Sequence, residues 1–403
     1  MTNRLIVYIS SYTHLSIPQY QQVLPHLSNY ENLYFDVKDP VTLAYGVNRV
    51  SSKSLLVEIF DEYLEIDAIP VKKRQRSFNL IHFVKNLIQI RKYRKTIFST
   101  LNELKPCAII SCSDNSLSDR ISIEWCLKKM IPFIIIQPSF LGGFKEYRIP
   151  IIDKLKYFVF NQILRVPLVS KTYNFGEVNY KTHLILWHEA FASNPTRPNL
   201  YFTGNPQLDS LFKKQSTEIR KNGNIIICTQ GIDEIWGMDR FMEIIEIYKQ
   251  AITSNPNHHF YIKVHPREII SKYMLLIPSS DFPNVTITQD MDLSALFEIS
   301  DLQISVLSYT TIQAAAMGLP VVMINPNWLD IELKDYIGVP LGIIVSEKHE
   351  IKKAIEQGLD PAYLQDYHQK RINFFNDNYF SSDGKSSNRA ATMINRIIEM
   401  NTT

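Results

Sequence analysis

Two groups of polar residues in the second half of the chain have the types and positions that phosphate binding requires. The first is the pair His265 and Pro266, which directly follows the β-rich run 260–264. The second group lies where a helical stretch begins and consists of Ser308, Tyr309, Thr310 and Thr311. A helix N-terminus carries unpaired N–H groups and partial positive charge, and both attract phosphate. Because open α/β sheets bind ligands at the carboxyl ends of their strands, we predict that both groups line one pocket.

The elements that must position these groups follow one another in a regular order. Short apolar runs alternate with polar loops and helical patterns, which is typical of an α/β fold with parallel strands. The predicted strands of the two halves include 5–9, 106–110, 132–136, 184–187, 224–228, 260–264, 285–287, 321–324 and 342–345. A chain of 403 residues is too long for one ordinary core, so we predict two Rossmann-like domains.

The domain boundaries are predicted from turn-forming residues and from the pattern of the last helices. Residues 203–206 read Thr-Gly-Asn-Pro, a sequence that marks a turn and a junction. We predict a first domain over 1–200, a second over 201–375 and a C-terminal helix over 376–403.

The composition restricts the classes of partner and compartment. A net charge of +3 argues against a polyanion binder, so we expect no nucleic acid partner. The four cysteines have neither disulfide nor metal-ligand spacing, which predicts a reducing compartment. No apolar run reaches the ~18 residues of a membrane span. We therefore predict a cytoplasmic protein.

One segment is strongly basic. Residues 72–95 contain nine lysines and arginines and no acidic residue, with apolar residues interleaved. A basic amphipathic helix of this kind can lie on an anionic membrane surface. The alternative is a solvated helix that packs on the first domain, and the sequence leaves both open.

Four segments resemble motifs of bacterial GT-B glycosyltransferases. Segment 202–209 looks like the linker of Kdo transferases and of epimerases of UDP-N-acetylglucosamine. Segment 263–268 is similar to the His-Pro motif of sialyltransferases, Kdo transferases and polyol-phosphate transferases, and 305–311 to their Ser/Thr motif. Segment 383–389 is similar to the tail of capsule and wall-polymer transferases. The resemblance implies two Rossmann-like domains facing a cleft, with C-terminal helices crossing back to the first domain.

The resemblance also implies roles for the polar groups. His265 and Pro266 would meet the base, ribose and phosphate of a nucleotide, and the 308–311 hydroxyls would bind phosphate oxygens. Arg267 would bind phosphate or pair with a carboxylate, and Gly231 would touch the donor from the loop after strand 224–228. Such sites need no metal, and Asp-Met-Asp at 290–292 only imitates the Asp-x-Asp motif of metal-using enzymes.

The catalytic base is not fixed by any motif. An inverting transfer needs a group that takes the proton of the acceptor hydroxyl. The candidates are Asp114 at a strand's carboxyl end, His14 in the predicted loop 10–14, and Glu146 in the loop 141–146.

The leading hypothesis is an inverting, metal-independent glycosyltransferase that builds a bacterial surface glycan such as capsule or lipopolysaccharide. It would need no cofactor besides its co-substrate, a nucleotide-sugar. We expect a CMP-linked Kdo, sialic acid or related nonulosonate, moved to a glycan or lipid-linked acceptor at the inner face of the membrane. The alternatives are a CDP-glycerol or CDP-ribitol phosphotransferase, a UDP-sugar transferase, an epimerase of UDP-N-acetylglucosamine and a non-catalytic membrane-surface scaffold.

Overall fold

The computed structural model describes residues 4–9, 13–37, 56–66, 80–138, 154–155, 157–163, 175–215, 222–306, 308–329, 341–379 and 381–402. The chain divides into two compact units. Unit 1 comprises residues 1–207 and 385–403, and unit 2 comprises residues 208–384. The predicted boundaries, after residues 200 and 375, lie seven and nine residues earlier. The first difference arises because strand 200–202 pairs within the sheet of unit 1.

Unit 1 is built on a seven-stranded sheet in which neighbouring strands are parallel. Its strands are β1 (Leu5–Ile9), β2 (Glu31–Val37), β3 (Glu62–Ile66), β4 (Ala108–Ser111), β5 (Phe133–Ile136), β6 (His183–Leu186) and β7 (Leu200–Phe202). Their order across the sheet is β3-β2-β1-β4-β5-β6-β7. The residues of β1, β4 and β5 are all buried, as expected for continuous apolar runs in a parallel sheet.

Helices follow the strands of unit 1. They are α1 (Thr13–Val23), α2 (Leu80–Leu104) and α3 (Leu117–Lys129), with a π-helix at Phe158–Ile163. The structure differs from the sequence prediction at α1: His14 lies in the first turn of the helix and not in a loop. Pro18, although a residue that often opens a helix, lies inside it. Pro18 cannot donate to the carbonyl four residues earlier. The burial of Ile17 and Tyr20 in the core offsets that loss.

Unit 2 is built on a six-stranded sheet, again with parallel neighbours. Its strands are β8 (Asn224–Cys228), β9 (His259–Lys263), β10 (Val285–Thr288), β11 (Leu302–Val306), β12 (Val321–Ile324) and β13 (Gly342–Val345). Its helices are α4 (Asp209–Lys213), α5 (Ile232–Trp236), α6 (Met238–Ser254), α7 (Ile270–Leu276), α8 (Leu293–Ile299), α9 (Tyr309–Ala316), α10 (Ile351–Gly358) and α11 (Pro361–Asn378).

The strand order of unit 2 is β10-β9-β8-β11-β12-β13. Numbered within the unit, this is 3-2-1-4-5-6, the Rossmann order, and the first six strands of unit 1 follow the same order. Consecutive strands run outward from β8 to one edge, and the chain then returns to the other side of β8. The predicted fold class, α/β with two Rossmann-like domains, is confirmed.

The last helix, α12 (Ser386–Thr402), belongs to unit 1. Its side chains Ala390, Ile394 and Ile397 are buried in the same core as residues of β1 and α1. Their spacing of four and three residues places them on one face of the helix.

The first turn of α12 packs on the chain segment that follows β7. Arg389 Nε donates to the carbonyl oxygen of Thr203 at 2.8 Å. Gly204 has a φ of +80°, and a Cβ added there would lie 2.4 Å from the Ser386 hydroxyl. Only glycine tolerates both conditions. The motif at 202–209 and the motif at 383–389 are therefore linked by direct contacts between residues of unit 1.

No helix within the described ranges is both long enough and apolar enough to cross a membrane.

Candidate functional site

The His-Pro turn and the hydroxyl-rich turn of unit 2 lie at the same edge of one sheet. The register pairs Cys228 with Lys263 on one side and with Ser305 on the other, so the carboxyl ends of β8, β9 and β11 are level. Neighbouring strands are about 4.8 Å apart, and β9 and β11 flank β8 at about 10 Å from each other. The gap between β8 and β11 is the point where the strand order reverses, which is where such sheets bind ligands.

His265 is exposed, and its imidazole is held in one orientation. Its Nδ1 accepts a hydrogen bond from the Arg267 backbone N–H at 3.2 Å. Partial desolvation by neighbouring groups, and then the charge of Arg267, lower the pKa of His265. The ring is therefore neutral near pH 7, and because Nδ1 is the acceptor, the proton resides on Nε2. His265 thus presents one N–H donor.

A buried carboxylate behind the His-Pro turn was missed by the sequence reasoning. Glu268 accepts hydrogen bonds from the hydroxyls of Thr229 at 2.5 Å and Tyr273 at 2.6 Å, and from the His265 backbone N–H at 3.3 Å. Burial raises the pKa of Glu268, and the two hydroxyls oppose that shift. The return of Glu268 to the N–H three residues earlier has the spacing of a capping box. That spacing is the signal that could have identified it.

A second set of hydrogen bonds fixes the backbone of the same turn. Gln289 Nε2 donates to the carbonyl oxygens of His265 at 2.9 Å and Glu268 at 3.0 Å. Lys263 Nζ in turn donates to the carbonyl oxygens of Gln289 at 2.5 Å and Met291 at 2.6 Å. Residues that follow β10 therefore hold the turn that follows β9.

The hydroxyl-rich turn begins α9. Ser308 is its N-cap and accepts from the Thr310 N–H at 3.3 Å and from the Thr310 hydroxyl at 3.0 Å. Thr311 is fully buried and bonds to the Ser305 hydroxyl at 2.8 Å, so its side chain points into the core. Ser308, Tyr309 and Thr310 remain half-buried at the start of the helix. A phosphate at this N-terminus would meet these three residues first.

The C-terminal end of α9 is also held. Arg371, which is buried, donates to the carbonyl oxygens of Ala315 at 3.1 Å and Ala316 at 3.2 Å. A cation at a helix C-terminus is stabilised by the helix dipole. Both ends of α9 therefore have defined hydrogen-bond partners.

Gly231, the remaining predicted donor-binding residue, is the N-cap of α5 and lies in the loop after β8.

The predicted base candidates of unit 1 have different surroundings. Asp114 is fully buried, and its two oxygens accept the backbone N–H groups of Gly176 at 3.1 Å and Val178 at 3.0 Å. Burial raises the pKa of Asp114, and these two bonds oppose the shift. This geometry ties the loop before β6 to the carboxyl end of β4. Of the others, His14 lies in the first turn of α1, and Glu146 lies outside the described residues.

The described residues contain no cluster of three or more histidine, cysteine, aspartate or glutamate side chains that could hold a metal ion.

Comparisons with known proteins identify the fold. No family model and no curated protein matches the chain. Among solved structures, it is similar to a putative UDP-N-acetylglucosamine 2-epimerase from Listeria monocytogenes (TM-score 0.62, 13% identity, covering 99% of this chain and 98% of that one). It is also similar to the UDP-GlcNAc 2-epimerase from Neisseria meningitidis bound to UDP-GlcNAc (0.59, 15%, 97% and 99%). A third is MurG from Acinetobacter baumannii (0.55, 12%, 98% and 99%). The chain therefore has the GT-B fold that these nucleotide-sugar enzymes share.

Proposed function

We propose that the protein is an inverting glycosyltransferase that uses a nucleotide-sugar and no metal. The proposal rests on the positions of two groups at one edge of the sheet. His265 follows β9 and the N-terminus of α9 follows β11, so the two groups lie on opposite sides of β8, next to the point where the strand order reverses. A neutral histidine N–H and a helix N-terminus both stabilise negative charge. A leaving nucleotide gains that charge on its phosphate as the bond to the sugar breaks.

The proposed donor is a CMP-linked Kdo, sialic acid or related nonulosonate, and the proposed acceptor is a bacterial surface glycan or its lipid-linked precursor. The support for the cytidine nucleotide is the combination of the His-Pro turn with the Ser308–Thr311 turn, which resembles that of CMP-sugar and polyol-phosphate transferases. Two of the similar solved structures are named for UDP-linked substrates, so a UDP-sugar is the competing donor.

Calorimetry with CMP, CDP, UDP and GDP tests the donor. We expect CMP to bind most tightly and the His265→Ala variant to weaken that binding about tenfold, as for loss of one hydrogen bond to a charged group. His349→Ala, which removes an exposed histidine elsewhere in unit 2, is the control and should change nothing. Equal affinity for all four nucleotides would refute the cytidine assignment, and a preference for UDP would replace it with a UDP-sugar.

The general base is proposed among His14, Glu146 and Asp114. Both oxygens of Asp114 bind backbone N–H groups, so we place His14 and Glu146 ahead of it. The substitutions His14→Ala and Glu146→Gln should lower the rate of transfer and leave CMP affinity unchanged. A lower CMP affinity with an unchanged rate constant would contradict a role as base.

An epimerase is the second candidate, because several of the similar solved structures bear that name. Incubation with UDP-N-acetylglucosamine, followed by NMR, distinguishes it. We expect the substrate to persist unchanged. The appearance of the C2 epimer would refute the transferase assignment.

We also propose that α2 and α3 touch an anionic membrane. The two helices are joined by the Arg94–Glu124 ion pair, at 2.9 Å from Nε to Oε2. Their exposed residues include the basic Arg91, Lys92, Lys95, Lys128 and Lys129 and the apolar Ile88 and Leu127. Cosedimentation with phosphatidylglycerol vesicles should fall when the lysines of α3 are replaced by glutamate. Equal binding to neutral phosphatidylcholine vesicles would refute an electrostatic contact.

A further inference from the structure

Two tryptophans from different loops of unit 2 are in contact. Trp236 ends α5, which follows β8, and Trp328 lies in a 3-10 turn that follows β12. Their ring centroids are 6.0 Å apart, at an interplanar angle of 58°. Arg240 places its guanidinium 5.1 Å from the centroid of the Trp328 ring. Both rings are half-buried, so each keeps accessible surface.

The sheet topology fixes where this pair lies. Strands β8 and β12 are the two hydrogen-bonded neighbours of β11, and they lie about 10 Å apart. Both loops leave the carboxyl ends of their strands, at the same edge of the sheet where α9 begins, three residues after Val306 at the end of β11. We therefore infer that the Trp236–Trp328 pair borders the proposed phosphate site on the side away from β9.

The turn that carries Trp328 also contains two unpaired polar atoms. The Nε1 of Trp328 and the Oδ1 of Asn325 are shielded from water and have no hydrogen-bond partner in the described part of the chain. Unpaired buried polar groups are uncommon and disfavour the state that contains them. One of these atoms is a donor and the other an acceptor. Both atoms are covered by protein, so a ligand hydroxyl, which is both donor and acceptor, would satisfy them only after the turn shifts to admit it.

The order of groups in a nucleotide-sugar indicates which part of the ligand lies beside Trp328. Its phosphate lies between the nucleoside and the sugar. With the nucleoside beside His265 on the β9 side and the phosphate at α9, the sugar falls on the β12 side, beside Trp328. Aromatic rings present a negative face, and the C–H groups of a pyranose ring are slightly positive.

We propose that Trp236, Trp328 and Asn325 form the subsite for the glycosyl ring of the donor. The ring stacks on the indoles, and one of its hydroxyls bonds to Trp328 Nε1 and Asn325 Oδ1. This inference rests on the proposed function, because it takes the ligand to be a nucleotide-sugar.

The chain offers a direct optical probe of this subsite. It contains four tryptophans. The other two, Trp125 and Trp187, are only 2% and 1% exposed in the core of unit 1. A ligand-dependent change in tryptophan fluorescence is therefore expected from the Trp236–Trp328 pair, and Trp187→Phe serves as the matched control.

The test compares CMP with CMP-N-acetylneuraminic acid as probes, by fluorescence titration and calorimetry. Trp328→Ala should weaken binding of the CMP-sugar about tenfold, from the loss of one aromatic contact, and leave the CMP affinity unchanged. Trp328→Phe keeps the ring and removes the N–H, so it should give an intermediate loss. It also guards against a fold defect in the alanine variant.

Three results would overturn the assignment. Equal weakening of both ligands would mean that the pair contacts the nucleoside or phosphate. Unchanged binding of both would remove the subsite and leave the proposed function standing. Absence of binding of either ligand to the wild-type protein would refute the cytidine donor and the subsite together.

Discussion

Replacing Glu268 by alanine tests whether the buried carboxylate organises the His265 turn. The substitution removes the acceptor of the Thr229 and Tyr273 hydroxyls, at 2.5 and 2.6 Å, and of the His265 N–H. A hydrogen bond to a charged group contributes about 1.5–3 kcal/mol. The variant also relieves the cost of burying the carboxylate, which is the cause of its raised pKa. The net expectation is a decrease of about 3 kcal/mol in the free energy of unfolding of unit 2.

The assay must separate the two units, because a chain with two compact units does not unfold in one step. In a background that carries Trp125→Phe and Trp187→Phe, the fluorescence comes from Trp236 and Trp328 of unit 2. Urea titration then gives the midpoint and slope for that unit. Glu243→Ala, at an exposed position on α6, is the matched control and should stay within about 0.5 kcal/mol of the parent.

A double-mutant cycle makes the prediction specific. Tyr273→Phe removes the hydroxyl that bonds to Glu268, so its cost should largely disappear once the carboxylate is gone. We expect a coupling free energy of about 1.5–3 kcal/mol. The Glu268→Ala variant should also bind CMP more weakly, because the turn that presents His265 is released. Additive effects of the two substitutions, or a Glu268→Ala variant as stable as Glu243→Ala, would refute the proposed network.

Three further predictions concern other polar groups. Burial raises the pKa of Asp119 from 3.8 to about 7, so the folded state binds this proton more tightly than the unfolded state does. The free energy of unfolding of unit 1 should therefore fall as pH rises from about 4 to about 7, by up to about 4 kcal/mol, and Asp119→Asn should flatten that slope in urea titrations at several pH values. Arg371→Met removes a donor from the carbonyls of Ala315 and Ala316, of which Ala315 keeps the Gly318 N–H. It should destabilise unit 2 by about 2 kcal/mol, measured by urea unfolding, and no change would contradict the role of Arg371 at the end of α9. Arg389→Ala removes the bond to the Thr203 carbonyl and should lower the melting temperature of unit 1, whereas a lysine in its place should restore only part of the loss.

The sequence determined the elements of the fold to a large extent. Continuous apolar runs such as 5–9 and 224–228 specify strands buried on both faces, because a parallel sheet covered by helices has no polar face. The same pattern placed His265 just after a strand and Ser308 at the start of a helix, but strand β11, which brings Ser308 to the same edge of the sheet, was not predicted. The beginning of α1 was misjudged, since Pro18 is a local signal for a helix start and the packing of Ile17 and Tyr20 overrides it.

The tertiary structure decided which polar groups are committed to each other. Asp114 bonds to N–H groups 62 and 64 residues away, and no local pattern shows that both of its oxygens are engaged. The inward orientation of Glu268 depends on Thr229, which a neighbouring strand brings to it. Trp236 and Trp328 meet only because β8 and β12 both flank β11. Strand formation is governed by the spacing of apolar residues along the chain, whereas these contacts depend on strand order, which is a property of the folded sheet.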